Sequence, residues 1–301
     1  MRRMMLVYSE IVAEIGLRDT GDPTGISAPA NLLSYDAAAP QLSERAFTDI
    51  QVGLRRWRVA SRLAELDIRN RYRGSVLGPF WLTLSTGAML AGLGILYSAL
   101  FHETLRSYLP FLSVSLIVWN LISLVVTDAT TSLTAAEGII RQIPLPYSTH
   151  ALRCVFRNVI IAAHNLPLIV LVLVVSRVLP GPEVGLAVVG LGLLIVNAFF
   201  AALLLGMLCA RFRDLSQIVA SLMQLAFFMK PILWKPASLG PRTVWLAFNP
   251  LYAIMQVVRG PVLNSGAPLL IWLSATLYTM VFGLVTLCFF VRFRNRIVFW
   301  V

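Results

Sequence analysis

The residues best equipped for chemistry are three cations around an aromatic ring, Arg69, Arg71 and Arg73 with Tyr72 among them. Guanidinium groups offer paired donors that match the oxygens of a phosphate, so this spacing suits an anionic headgroup such as a pyrophosphate. Anchoring to anionic lipid needs only the charge, and on electrostatics alone both roles stand. Asp128, His164 and Lys230 are the ionisable residues within apolar stretches, too thin a set for a proton or sodium relay. His164 has no carboxylate partner in its stretch, so a hydrogen-bonded structural role is expected and no catalytic residue is assigned. The two lysines, Lys230 and Lys235, follow Met229 and Trp234 rather than a glycine-rich turn, which leaves no phosphate-binding loop for ATP. Cys154, Cys209 and Cys288 form no CxxC pair and have no histidine at ligand spacing, so neither a disulfide framework nor a metal site is expected.

The elements that must carry these residues are membrane helices. Of 301 residues, 58% are hydrophobic and 13% charged, with a mean hydropathy of +0.78, which excludes a soluble enzyme. Charge is costly at mid-bilayer, so uncharged stretches locate the spans. Residues 74–101, 107–127, 158–176, 184–210 and 268–291 are five such stretches. Residues 215–234 make a sixth, interrupted by Lys230-Pro231 and therefore expected to be a kinked span. The apolar segment 244–258 holds Asn249-Pro250 at its middle and is too short to cross, so a re-entrant or interfacial hairpin is predicted there.

Nineteen of the 25 Lys+Arg fall on one side of this arrangement. The rule that basic loops stay inside then makes both termini cytoplasmic and the hairpin 235–267 external. The net charge of +11 is thereby read as inner-loop charge, with no nucleic acid as partner. Ahead of the first span, Phe47, Ile50, Leu54, Trp57, Ala60, Ala64 and Ile68 recur at steps of three and four with arginines between them. That pattern predicts an amphipathic helix over 43–73 lying on the inner leaflet, and would equally serve a helix packed on a partner. Residues 1–42, rich in Gly and Pro, read as a mobile cytoplasmic tail. Glu10 arrives before a signal-peptide core could develop, so no cleaved signal is expected.

Specific motifs add a resemblance. The run Arg71-Tyr72-Arg73-Gly74-Ser75-Val76-Leu77-Gly78-Pro79-Phe80-Trp81 resembles the RYRxSxLGPxW opening of ABC-2 type permeases that export polysaccharides. In order, Gly138-Ile139-Ile140-Arg141-Gln142, Arg157-Asn158, His164-Asn165, Arg213-Asp214, Pro231-Ile232-Leu233-Trp234, Phe248-Asn249-Pro250-Leu251 and Val258-Arg259-Gly260-Pro261 resemble later elements of the O-antigen exporter branch. Pro144-Leu145-Pro146 and Lys230 depart from its common pattern. The resemblance implies an all-α polytopic domain of six transmembrane helices over 74–296, preceded by an interfacial gate helix and closed outside by re-entrant helices. It further implies a non-enzymatic homodimer in the bacterial inner membrane, working with two copies of a separate ATPase that carries the ATP and Mg. The cargo it implies is a polysaccharide on undecaprenyl pyrophosphate, and an ABC-2 permease for a lipid, a drug or another small hydrophobic substrate is the alternative.

Residue roles follow from the resemblance. Arg69, Arg71, Tyr72 and Arg73 would receive the lipid pyrophosphate. Trp81, Tyr97, Trp119, Phe228 and Trp234 would line the glycan channel, although interfacial aromatic belts use the same residues. Glu137, Arg141, Gln142, Arg211, Arg213 and Asp214 would contact the ATPase, or simply be solvated loop. Asn249, Pro250 and Arg259 would form the external gate.

Overall fold

A computed structural model describes residues 42–78, 80–178 and 181–301, which form one compact unit. Residues 1–41 of the expected tail lie outside the described residues. All regular structure among the described residues is helical, as an apolar solvent requires, because each helix satisfies its own backbone groups.

Among the described residues, five helices are long and apolar enough to cross a bilayer. They are α3 (Phe80–Leu100), α4 (Leu105–Ala129), the broken pair α6 (Tyr147–Ala163) and α7 (Leu166–Ser176), α8 (Val184–Arg211), and α11 (Leu269–Phe293). The break between α6 and α7 falls at His164-Asn165, just before Pro167 at the first turn of α7. The sixth expected span is helical only as α9 (Leu215–Met229), 15 residues. At 1.5 Å per residue that is about 22 Å, short of a roughly 30 Å hydrocarbon core. Lys230 is extended because Pro231 follows, and this ends the helix. The segment 215–234 is therefore a short helix with an irregular C-terminal end rather than one kinked helix.

The apolar segment around Asn249-Pro250 is two helices, a 3₁₀ stretch Pro236–Phe248 and α10 (Pro250–Val262). The Asn249 carboxamide accepts the Tyr252 N–H at 3.4 Å, and Pro250 opens the helix with its ring already at a helical φ. Ten consecutive residues of α10, Tyr252 to Pro261, are buried, and the helix packs against α8, α11 and α4.

Small residues let the helices approach. At Gly190 on α8, a Cβ would lie 2.7 Å from the Val257 carbonyl carbon of α10. Polar side chains also bridge spans: Ser132 Oγ donates to the Ala202 carbonyl at 2.8 Å, and Asn197 Nδ2 to Thr279 Oγ1 at 2.6 Å. By contrast α3 and α9 stand at the margin, with Trp81, Leu84, Ile95, Leu222, Leu225 and Phe228 all more than half exposed.

The amphipathic segment is also two helices, α1 (Leu42–Arg55) and α2 (Trp57–Arg71), broken at Arg56. Its apolar stripe divides: Ala60, Ala64 and Ile68 are buried, and α2 packs on α6, while Phe47, Leu54 and Trp57 stay exposed. The segment is thus docked on the bundle along most of its length, not spread on lipid alone.

Candidate functional site

Two carboxylates, which no periodicity argument would place indoors, dock this segment. Asp49 is 3% exposed. Its oxygens accept from the backbone N–H groups of Tyr147 and Ser148 at 3.3 and 3.1 Å, from the Ser148 hydroxyl at 2.9 Å, and from Arg294 Nε at 2.9 Å. A carboxylate against the first amides of α6 complements that helix's positive end, and Arg294 from the far end of the chain neutralises it. Gly53 keeps the approach tight, since a Cβ there would collide with the Ser148 side chain.

Asp67 on α2 makes the second dock. It receives a bidentate fork from Arg153 (Nε to Oδ2 2.7 Å, Nη2 to Oδ1 2.5 Å) and a third bond from Arg157 Nη1 at 3.0 Å. Arg157 turns its other edge to Asp128 at the C-terminal end of α4, at 3.0 and 3.1 Å. The four side chains are between 14% and 17% exposed. They tie α2, α6 and α4 together immediately ahead of the basic run.

In that run Arg69 pairs with Glu65 at 2.5 Å on an exposed face, a contact worth at most about 1 kcal/mol. Arg71 and Arg73 are exposed, Tyr72 is half-buried, and neither arginine has an ion-pair partner among the described residues. Arg71 lies four residues after Asp67 and so on the same side of α2.

At the other end of the bundle Arg259 is 1% exposed. Its Nε and Nη2 donate to Gln256 Oε1 at 2.9 and 2.5 Å, and its Nη1 to Ser115 Oγ at 2.9 Å and to the Pro231 carbonyl at 2.7 Å. The guanidinium carbon sits 4.8 Å from the Phe111 ring centroid. One cation thus joins α10, α4 and the irregular end of α9. Lys230, immediately before Pro231, is 5% exposed, and its side chain has no hydrogen bond or ion pair among the described residues.

The remaining expected residues are dispersed. Trp81 and Phe228 are exposed on the marginal helices, and Tyr97 and Trp234 are half-buried. Trp119 is 3% exposed in the core, with its ring 6.3 Å from that of Phe227 on α9. Glu137 and Arg141 pair at 2.7 Å on a one-and-a-half-turn helix α5 (Glu137–Gln142), and Arg141 also donates to the Val301 carbonyl at 2.9 Å. Gln142, Arg211 and Arg213 are exposed, as is Asp214, which precedes α9. Asn249 and Pro250 start α10 as described, so their visible work is capping. His164 bonds the Ile160 carbonyl at 2.7 Å and stands edge-on to Phe80, the structural role its isolation suggested.

A docked basic segment, five long apolar helices and a buried helix hairpin form the frame into which the known relatives fit. Residues 61–263, more than half of the chain, match the ABC-2 type transporter family. The chain belongs to that family. It is a multi-pass membrane protein and the membrane subunit of a transporter. It is also similar to the O-antigen export system permease protein RfbA of Myxococcus xanthus, 24% identical over 196 residues, which are 64% of this chain and 75% of the relative. The family match begins within α2, so the Asp67 dock lies inside it, whereas Asp49 lies ahead of it.

Sequence reasoning missed Asp49, Asp67, Gln256 and Ser115. A signal was present for the first two: an aspartate beside an apolar stripe residue, Asp49 before Ile50 and Asp67 before Ile68.

Proposed function

We infer that this ABC-2 permease exports a lipid-linked polysaccharide of the O-antigen kind, carried on undecaprenyl pyrophosphate, from the cytoplasm outward across a bacterial inner membrane. It works as a homodimer with two copies of a separate ATPase, and both its termini are cytoplasmic. ATP and Mg belong to that partner. The observation that carries the reading is the pair Arg71 and Arg73, exposed and without ion-pair partners among the described residues, at the mouth of the first span in a chain similar to an O-antigen export permease. The uncovered faces of α3 and α9 supply a surface for the second copy.

The test is lysine replacement. Arg71→Lys and Arg73→Lys keep the charge and lose the fork, so each is expected to lower cell-surface glycan about tenfold, the worth of about 1.4 kcal/mol in headgroup recognition. Arg56→Lys, in the break between α1 and α2, should export normally at matched membrane levels. Normal export in all three variants assigns the run to lipid anchoring.

Coupling is placed at α5. The Glu137–Arg141 pair is 46% and 64% exposed, so it adds little to stability, and charge reversal should leave the melting temperature within about 2 °C. Purified with the ATPase, Glu137→Lys is expected to retain hydrolysis while transport per ATP falls about 5- to 150-fold, the effect of losing an interfacial pair worth about 1–3 kcal/mol. Unchanged coupling returns the helix to a solvated loop.

A second reading, export of a lipid or small hydrophobic substrate, has one observation in its favour. A cavity of about 480 Å³ lies between α4, α8, α10 and α11, lined by apolar groups such as Val125, Leu194, Ala201, Ile254 and Phe282. Transport of such a substrate without any glycan synthesis would decide for it.

A further inference from the structure

The cluster that docks α2 has more donors than its carboxylates can use. Arg153 spends Nε and Nη2 on Asp67, but its Nη1 is buried and has no acceptor. Within the same turn of α6, the Thr149 hydroxyl and both ring nitrogens of His150 are also buried without partners. Positions 149, 150 and 153 share one side of a helix. His150 stands three residues before Arg153, so it lies on the side of α6 that carries the Asp67 dock. A buried polar atom without a partner costs about 1–3 kcal/mol, which makes such a concentration unusual in a static dock.

A carboxylate offers two oxygens and one negative charge. A phosphate-class oxyanion offers at least three oxygens and up to two charges. It would meet the Arg153 fork and the Arg157 Nη1 donor that Asp67 now fills, and also reach the spare Arg153 nitrogen. Access exists, since all four network side chains are partly exposed. The path is short as well, because Arg71 lies one helical turn, about 5.4 Å, from Asp67 on the same side of α2.

We propose that Arg153 and Arg157 form an anion-exchange site, in which a phosphate-class oxyanion at the inner membrane face displaces the Asp67 carboxylate and so releases α2 from α6. Asp67 is the resident anion and holds the helix closed until a better anion arrives. The energetic logic is that of a ligand binding only the open state: its apparent affinity is reduced by the fraction of molecules that are open. Asp49 is not exchanged. Its side chain is fully enclosed and holds backbone amides, so α1 stays fixed while α2 swings from the break at Arg56. This inference rests on the reading of α2 as the helix that admits a phosphate-bearing headgroup, and is independent of the glycan.

The experiment follows the distance from α2 to the turn after α4 in the full chain, in nanodiscs, with spin labels at Arg62→Cys and Thr131→Cys, both exposed sites. Cys288 is the exposed one of the three free cysteines and is replaced by serine. Three conditions are compared: zwitterionic lipid alone, the same with inorganic pyrophosphate in solution, and nanodiscs containing a polyprenyl pyrophosphate lipid. A longer distance is expected with a phosphate-class anion. A response to the free ion identifies the phosphate group itself as sufficient, and a response confined to the lipid-borne form identifies the headgroup as the ligand.

In Asp67→Asn the long distance should be populated without any anion, and half-saturation by the responding probe should fall roughly tenfold, because the competitor is gone. Arg153→Lys should weaken the response roughly tenfold. If Asp67→Asn fails to accumulate, Asp67→Glu shifts the carboxylate by one methylene and should act in the same direction to a smaller extent. A distance that neither probe moves, or an unaltered probe affinity in the Asp67 variant, overturns the exchange site. Neither readout involves export. Glycan export with an immobile α2 would therefore defeat this inference alone, and a responsive α2 without glycan export would defeat the functional reading alone.

Discussion

Asp49→Ala is expected to destabilise the protein by about 3–5 kcal/mol, the range for removing one partner of a buried charge pair. The side chain is 0% exposed and holds Arg294 at 2.8 Å as well as two backbone amides of α6 and the Ser148 hydroxyl. Its loss leaves a half-enclosed guanidinium and the first turn of a span without acceptors, in a place where water enters poorly. Asp49→Asn keeps the shape and part of the hydrogen bonding but not the charge, so it should lie between alanine and wild type. Thermal unfolding of purified protein, read by intrinsic fluorescence alongside membrane abundance, measures both. Equal stability of Asp49→Ala and wild type would show that α1 is held by its apolar contacts instead.

Arg259→Ala is expected to cost about 3–5 kcal/mol by a different route, the sum of orphaned acceptors and a new cavity. Gln256 Oε1 would lose two donors and the Pro231 carbonyl one, in a buried part of the bundle. The consequence is also directional, because α10, α4 and the C-terminal end of the 215–234 segment meet at this one group. Arg259→Met fills the volume without the donors and so separates the two contributions. Protease accessibility of the segment 231–248 in right-side-out vesicles should rise in both variants, and more in the alanine variant. An unchanged cleavage pattern would remove Arg259 from any role in closing that end.

How far these features were legible follows from how local each is. Asn249-Pro250 announces a helix start through capping and a fixed φ, both effects of a few neighbouring residues, and α10 begins there. The break at His164-Asn165 is likewise written beside Pro167. The end of α9 was only half legible: Pro231 marks a disruption, but whether the chain resumes as helix depends on what else can satisfy its carbonyls, and here Arg259 binds one of them. Trp119 was not legible at all. An aromatic in an apolar span looks the same at a lipid belt, in a channel or in a core, and only the packing of Phe227 over it decided.

The amino-acid sequence by itself determined the helical class, the approximate spans, the basic segment before the first of them and the absence of a phosphate-binding loop. It could do so because transfer energies, helical period and proline geometry act over a single stretch of chain. Which charges meet was decided only by the tertiary structure. Asp67 finds Arg153 across 86 residues and Asp49 finds Arg294 across 245. A carboxylate near an apolar stripe is as compatible with water as with a salt bridge until another helix arrives, because its free energy depends on the distance and burial of a partner that no local pattern specifies.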